Sequence, residues 1–289
     1  MNRAEQKDVV YMNERRTPIG DRRYQKDRID FALDHETGIR ITNRPIDSLS
    51  EFDDLITTLP FGNPNKYPPR LTLFRGQKEI KWNLEPQIAR PGPWKFSLEN
   101  EKAMLEDFKL RALPYLPGTR QNLTDLEMLA LAQHHGMATR LLDWTEHALI
   151  GLWFAVRDAY SEKEMQVDPH LQGVVWVFQP EQKDVLDASD CSKDPFRFAE
   201  TKVYHPGHFA HRIQAQGGWF TVHKYNRKLD RLVRLNRLKE HKGKLWRISI
   251  EAVVFTDIAK QLQRAGITAA TAFPDLTGVA EFINSALPR

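Results

Sequence analysis

The sequence predicts an α+β fold: a single domain with a central, mostly antiparallel sheet flanked by helices, plus an N-terminal arm. Three observations carry that prediction. Gly173-Val-Val-Trp-Val-Phe178 is a short apolar run bounded by turn residues, as a buried strand reads. Trp246, Ile248 and Ile250 alternate within Leu245–Glu251, as a half-buried strand does. Between such runs lie segments with helix caps and one apolar side, and no repeat or linker divides the chain.

Residues 1–45 hold ten basic and eight acidic residues with few aliphatics, and read as a charged arm ahead of a domain spanning 46–289. Ser48 and Glu51 form a capping-box pattern, followed by Leu49, Phe52, Leu55, Ile56 and Leu59 on one helical face. Leu71–Phe74 is strand-like and ends in Arg75-Gly76-Gln77. Ser97 caps a helix with Glu99 and Glu101 in its first turn, where acids complement the helix dipole, and Pro114 bounds it. Thr124 and Glu127 make another capping box, and the helix they open runs to His134-His135, with Gly136 placed to end it. Met137–Trp144 reads as a short polar link into a helix containing Leu149, Leu152, Trp153 and Val156. Trp219–His223 is a further strand, Lys224–Lys244 a cationic amphipathic helix, and two helices near 257–266 and 279–287 close the chain.

Composition excludes several classes. The chain has 289 residues and one cysteine, Cys191, so neither an internal disulfide framework nor a multi-cysteine zinc site is available. No apolar run approaches the roughly 20 residues of a membrane span, and the expectation is a soluble cytoplasmic protein without membrane contact. The formal net charge of +4 is uneven: twelve Lys or Arg stand against two acids between Lys202 and Arg247, leaving +10 there and −6 elsewhere. Such a segment points to a phosphate-bearing partner, whether small molecule or nucleic acid, or simply to a solvated face.

Two stretches stand out as chemistry. Arg75, at a strand end beside Gly76, is placed to grip a phosphate or carboxylate, or else to pair with an acid in the core. The run 132–145 packs His134, His135, Thr139, Arg140, Asp143 and Trp144 between two helices, where a polar loop on rigid supports makes a good site. Arg140 and Asp143 pairing with each other is the competing reading.

With Phe74-Arg75-Gly76, Leu129–Gly136, Thr139–Thr145, Leu152–Ala155, Gln216–Thr221 and Phe273–Leu276 in this order, the sequence resembles the bacterial FRG domain family. A more distant likeness is to arginine-type ADP-ribosyltransferases. That likeness implies an NAD-binding transferase or NAD glycohydrolase in bacterial defence or stress. NAD would be its substrate, and no metal would be required. Arg75, Asp143 and Gln216 would be the catalytic set, with Gln216 where a glutamate is expected. Arg75, Gly76, Gln77, His135, Thr139, Arg140 and Trp144 would hold the nucleotide. The alternative is a nucleic-acid-binding module or nuclease using His135, Arg140 and the basic segment, especially Arg227, Arg231, Arg234 and Arg237. A third reading is a scaffold or sensor whose arm captures a partner.

His205, His208 and His211 recur at intervals of three, but Pro206 and Gly207 interrupt any helix that would make them a metal triad. Cys191 lies between Asp190 and Ser192 without an activating base, so it does not read as a nucleophile.

Overall fold

The computed structural model describes residues 29–61, 70–92, 96–116, 123–158, 172–206 and 217–285. Its centre is an eight-stranded sheet. The elements run β1 (Phe31–Asp34), β2 (Ile39–Thr42), α1 (Leu49–Thr58), β3 (Leu73–Gln77), α2 (Leu98–Ala112), α3 (Asp125–His134), β4 (Leu141–Thr145) and α4 (Ala148–Val156). Then follow β5 (Gln172–Phe178), β6 (Lys202–Tyr204), β7 (Gly218–Val222), β8 (Tyr225–Asn226), β9 (Arg231–Leu232), β10 (Leu245–Glu251), α5 (Phe255–Arg264), α6 (Ala269–Ala272) and α7 (Leu276–Ser285). The sheet order is β1-β2-β10-β5-β3-β4-β7-β6, with β8 and β9 forming a separate ribbon. Among its pairings only β2 with β10 is parallel, so the architecture is α+β with a mostly antiparallel sheet.

Local chemistry sets the helix starts. Ser48 Oγ accepts from the Glu51 amide and Ser97 Oγ from the Asn100 amide. At α3 the capping box closes both ways: the Glu127 amide donates to Thr124 Oγ1 at 3.3 Å, and the Thr124 amide to Glu127 Oε2 at 2.8 Å. Gly136 sits at φ +91°, the left-handed conformation that ends α3 at little steric cost.

The two sheet faces are packed differently. On one, Phe74, Val175, Val177, Ile248 and Ile250 meet α1, α4 and α5. Further along that face, Leu141, Phe220 and Val222 meet α2 and α3. The opposite face, with Leu73, Leu142, Val174, Trp176 and Phe178, is covered by loop residues Leu84, Leu235 and Leu238. The two helical groups meet over a seam. β3 and β4 pair at one position, Phe74 opposite Thr145, whereas β3 with β5 and β4 with β7 each pair along five residues. Beyond Phe74 the sheet opens.

Three sequence readings are corrected. Met137–Trp144 is no mere link, because β4 begins within it and occupies the middle of the sheet. The stretch 1–45 is not arm throughout, since β1 and β2 belong to the sheet and residues 1–28 lie outside the described residues. Lys224–Lys244 is not one cationic helix. It forms the β8–β9 ribbon and two single 3₁₀ turns, Leu235–Arg237 and Lys239–His241. Leu232, Leu235 and Leu238 are buried, Arg231 is exposed, and Arg234 pairs with Glu85 at 3.1 Å. Among the described residues no helix is long and apolar enough to cross a membrane.

Candidate functional site

A cavity of about 290 Å³ lies over the seam between β3 and β4. Phe74, Phe154, Trp219, Phe220 and Phe273 contribute apolar lining, and Arg75, Gln133, His134, Asp143 and Thr145 contribute polar groups. Gly76, Trp144 and Gly218 complete the strand side. The chain reaches the cavity from β3, α3, β4, α4, β7 and the segment after α6.

Arg75 is the cation of the site, with 16% of its side chain exposed. Its Nη1 donates to the backbone carbonyl of Asp143 at 2.8 Å and lies 3.7 Å from Asp143 Oδ2. This side chain therefore spans the gap where the ladder stops. Its Nε has no hydrogen-bond partner among the described residues. Burial pushes the guanidinium down to about 10, with Asp143 opposing the shift and Arg90 adding to it. It remains protonated at neutral pH: a desolvated cation with spare donors.

Asp143 is exposed (64%) but held in place. Gln133 Nε2 donates to its Oδ1 at 2.7 Å, and the Thr139 hydroxyl donates to Gln133 Oε1. Thr139 thus acts one residue removed from the cavity. Gln133 was absent from the sequence-derived site, whereas His134 belonged to its polar run. Their position at the end of α3, facing β4, emerges only when the chain turns back at Gly136.

The other sequence-derived residues have different surroundings. Arg140 and Glu101 are fully enclosed (0% and 2% exposed), with Arg140 Nε donating to Glu101 Oε1 at 2.9 Å and Nη2 to Oε2. Arg140 Nη1 also reaches the Pro195 carbonyl at 3.0 Å, and the guanidinium lies 4.5 Å from the Phe196 ring centre. Gln77 is buried, accepting from Trp176 Nε1 at 2.9 Å and donating to the Asn83 carbonyl at 3.3 Å. His135 follows α3 and is exposed, with its ring 4.9 Å from that of His134. Gln77, His135, Thr139 and Arg140 do not line the cavity. Gln216, His208 and His211 lie outside the described residues. His205 packs edge-on against Trp219 with ring centres 4.5 Å apart. Burial and the neighbouring acids push the Cys191 thiol up, away from a reactive thiolate.

Gly76 answers to packing. A methyl group there would lie 2.0 Å from the Gly151 carbonyl oxygen and 2.5 Å from the Ala155 nitrogen, so α4 crosses β3 backbone to backbone. Trp144 packs its ring on the far sheet face, 5.6 Å from the Phe178 ring. Its Nε1 donates to Thr221 Oγ1 at 3.1 Å. Thr221 in turn lies 3.1 Å from His223 Nε2, and His223 Nδ1 lies 2.7 Å from the Val233 carbonyl. A carbonyl only accepts, so Nδ1 carries the proton and Nε2 accepts from the Thr221 hydroxyl.

His223 must stay neutral for that relay, and burial pushes its pKa down to about 3. The unfolded chain binds a proton near 6.5, so this contribution to stability is complete above that value and is lost as pH falls towards 3. Buried His241, pushed down to about 4 by desolvation, adds a loss of the same sign. Urea midpoints should therefore fall between about pH 7.5 and about pH 5. Equal midpoints at both pH values would contradict this assignment.

Residues 70–164 match the family model of the FRG domain. The chain carries an FRG domain. The matched stretch supplies Arg75, Gln133, His134, Asp143 and Phe154, while Trp219, Phe220 and Phe273 reach the cavity from beyond it. No curated protein and no solved structure matches the chain. The FRG domain thus contributes the polar part of the cavity and both strands of its seam.

Proposed function

We propose that the FRG-domain cavity binds a nucleotide, with NAD as its candidate substrate, for ADP-ribosyl transfer or NAD hydrolysis. The observation carrying this reading is Arg75: a half-buried, protonated guanidinium whose Nε is enclosed and unpartnered among the described residues, on an aromatic-lined cleft. An anionic ligand satisfies such a group through charge-assisted hydrogen bonds. The aromatic lining suits a planar ring. About 290 Å³ is at the small end for ligand pockets, so one base-and-ribose half would be enclosed and the rest would extend into solvent.

In the reaction, the bond between ribose C1′ and the nicotinamide nitrogen breaks, and its electron pair leaves with nicotinamide. Positive charge then develops on the ribose. The Asp143 carboxylate, oriented by Gln133, is assigned to stabilise that charge. Water or an acceptor hydroxyl attacks C1′ and releases a proton. Gln216, two residues before Gly218 of the cavity lining, is assigned a ribose hydroxyl. A nucleic-acid interface has less geometric support, because the continuous cationic helix on which it rested does not form.

Millimolar NAD should raise the melting temperature of the full chain and release nicotinamide. Arg75→Ala should remove both effects, whereas Asp143→Asn should keep the thermal shift and lower release by about a hundredfold or more. Absence of a shift with wild type would refute nucleotide binding. Unchanged release by Asp143→Asn would refute the role of the carboxylate.

A further inference from the structure

A second cavity, of about 200 Å³, lies on the opposite side of the sheet. Its lining brings together β1, β2, β10, the turn after β3 and the 3₁₀ turn at Leu235–Arg237. Arg247 of β10 stands over Trp176 and Ile41, its cross-strand neighbours. Its guanidinium makes no hydrogen bond or ion pair among the described residues. Arg237 also reaches this cavity and is likewise unpaired.

The nearby carboxylate does not neutralise them by contact. Asp34 is committed to its own turn, accepting from the Glu36 amide at 3.0 Å and the Thr37 hydroxyl at 2.6 Å. Lys81, the third cation of the lining, pairs with Glu79 at 2.7 Å. Uncharged polar groups surround the two arginines. Asn236 Nδ2 donates to Asn83 Oδ1 at 3.4 Å, and Asn236 Oδ1 has no donor among the described residues. Trp82, at the rim, is 38% exposed.

We propose that this cavity is a second ligand site, for a small phosphorylated sugar, with Arg247 and Arg237 taking the phosphate. The arginines supply donors to an anion. Asn83, Asn236 and Thr37 supply the mixed donors and acceptors that hydroxyls need, and the Trp82 ring offers an apolar surface to a sugar face. The small volume excludes a whole dinucleotide from this cavity. The site is independent of Arg75 and of the nucleotide reading, since the two cavities share no lining residue.

Ribose 5-phosphate titrated into the full chain by calorimetry is the test, with ribose and inorganic phosphate as comparison probes. The phosphorylated sugar should bind in preference to both. Arg247→Met, which keeps the aliphatic stem, should weaken it by about tenfold or more. Exposed Arg237→Met should weaken it several-fold without touching the core, and Arg75→Ala should leave it unchanged. Wild-type affinity in both Arg247→Met and Arg237→Met would overturn the site, as would absence of binding to wild type. Loss in Arg75→Ala alone would place the ligand in the seam cavity instead. Equal affinity for inorganic phosphate would overturn the sugar assignment.

Discussion

Arg140→Ala should cost about 3–5 kcal/mol of folding stability. The side chain is fully enclosed and ties four places together: the residue just before β4 from which it comes, Glu101 of α2, the Pro195 carbonyl, and the carbonyl of His223, just past β7. Removing it strands the Glu101 carboxylate in the interior, where an unpaired charge is far more expensive than a missing pair. The fingerprint of this mechanism is rescue. Arg140→Met combined with Glu101→Leu should recover most of the loss, because two apolar groups need no partner. Denaturant unfolding of the single and double variants distinguishes the cases. A double variant as unstable as Arg140→Ala would mean that packing on Phe196, rather than the stranded charge, sets the cost.

Gly76→Ala should be comparably damaging although it adds one methyl group. Overpacking a core usually costs about 1–3 kcal/mol, occasionally more. Here the obstacle is main chain: the Gly151 carbonyl at 2.0 Å and the Ala155 nitrogen at 2.5 Å. Backbone on a helix cannot swing aside as a long side chain can, so α4 must lift from β3. Because Phe154 of α4 lines the seam cavity, ligand affinity should fall together with stability. A thermal melt plus an NAD titration separates this from a purely local effect. A melting temperature within about 1 °C of wild type would contradict the close crossing.

The FRG signature at Phe74–Gly76 reads differently once the neighbours are known. Arg75 is the residue that faces an unmet chemical demand, and its glycine neighbour answers to helix packing. Sequence reasoning could see both residues but could not divide the labour between them. That division depends on α4, which begins about seventy residues later.

Elements with local signatures were legible. Ser48, Ser97 and Thr124 announce helices through caps that involve only the next three residues. β5 and β10 announce themselves by apolar composition and alternation. β4 was hidden because Leu141-Leu142-Asp143 breaks alternation: Leu141 and Leu142 face two different cores, and Asp143 opens onto the seam. The stretch at 224–244 misled for another reason. Leu232, Leu235, Leu238 and His241 are spaced by three, and all four are buried. A three-residue spacing fits a helical face, but it is also the repeat of successive 3₁₀ turns, which is how this chain uses it. Of the candidate site, Arg75 and Asp143 were visible as unusual polar residues in motif-like settings. The Thr139–Gln133–Asp143 chain was not, because its hydrogen bonds join residues whose proximity is created by a reversal of the backbone.

The strand order also imposes a timetable on synthesis. β2 pairs outside its own hairpin with β10 alone, through Trp246 opposite Arg40 and Arg247 opposite Ile41, about two hundred positions along the chain. A ribosome that has released β1 and β2 has therefore made a hairpin with nowhere to dock. β3 likewise waits for β5 before its ladder can form. Assembly must close these long loops near the end of translation, which favours slow folding and a prolonged nascent state with open strand edges.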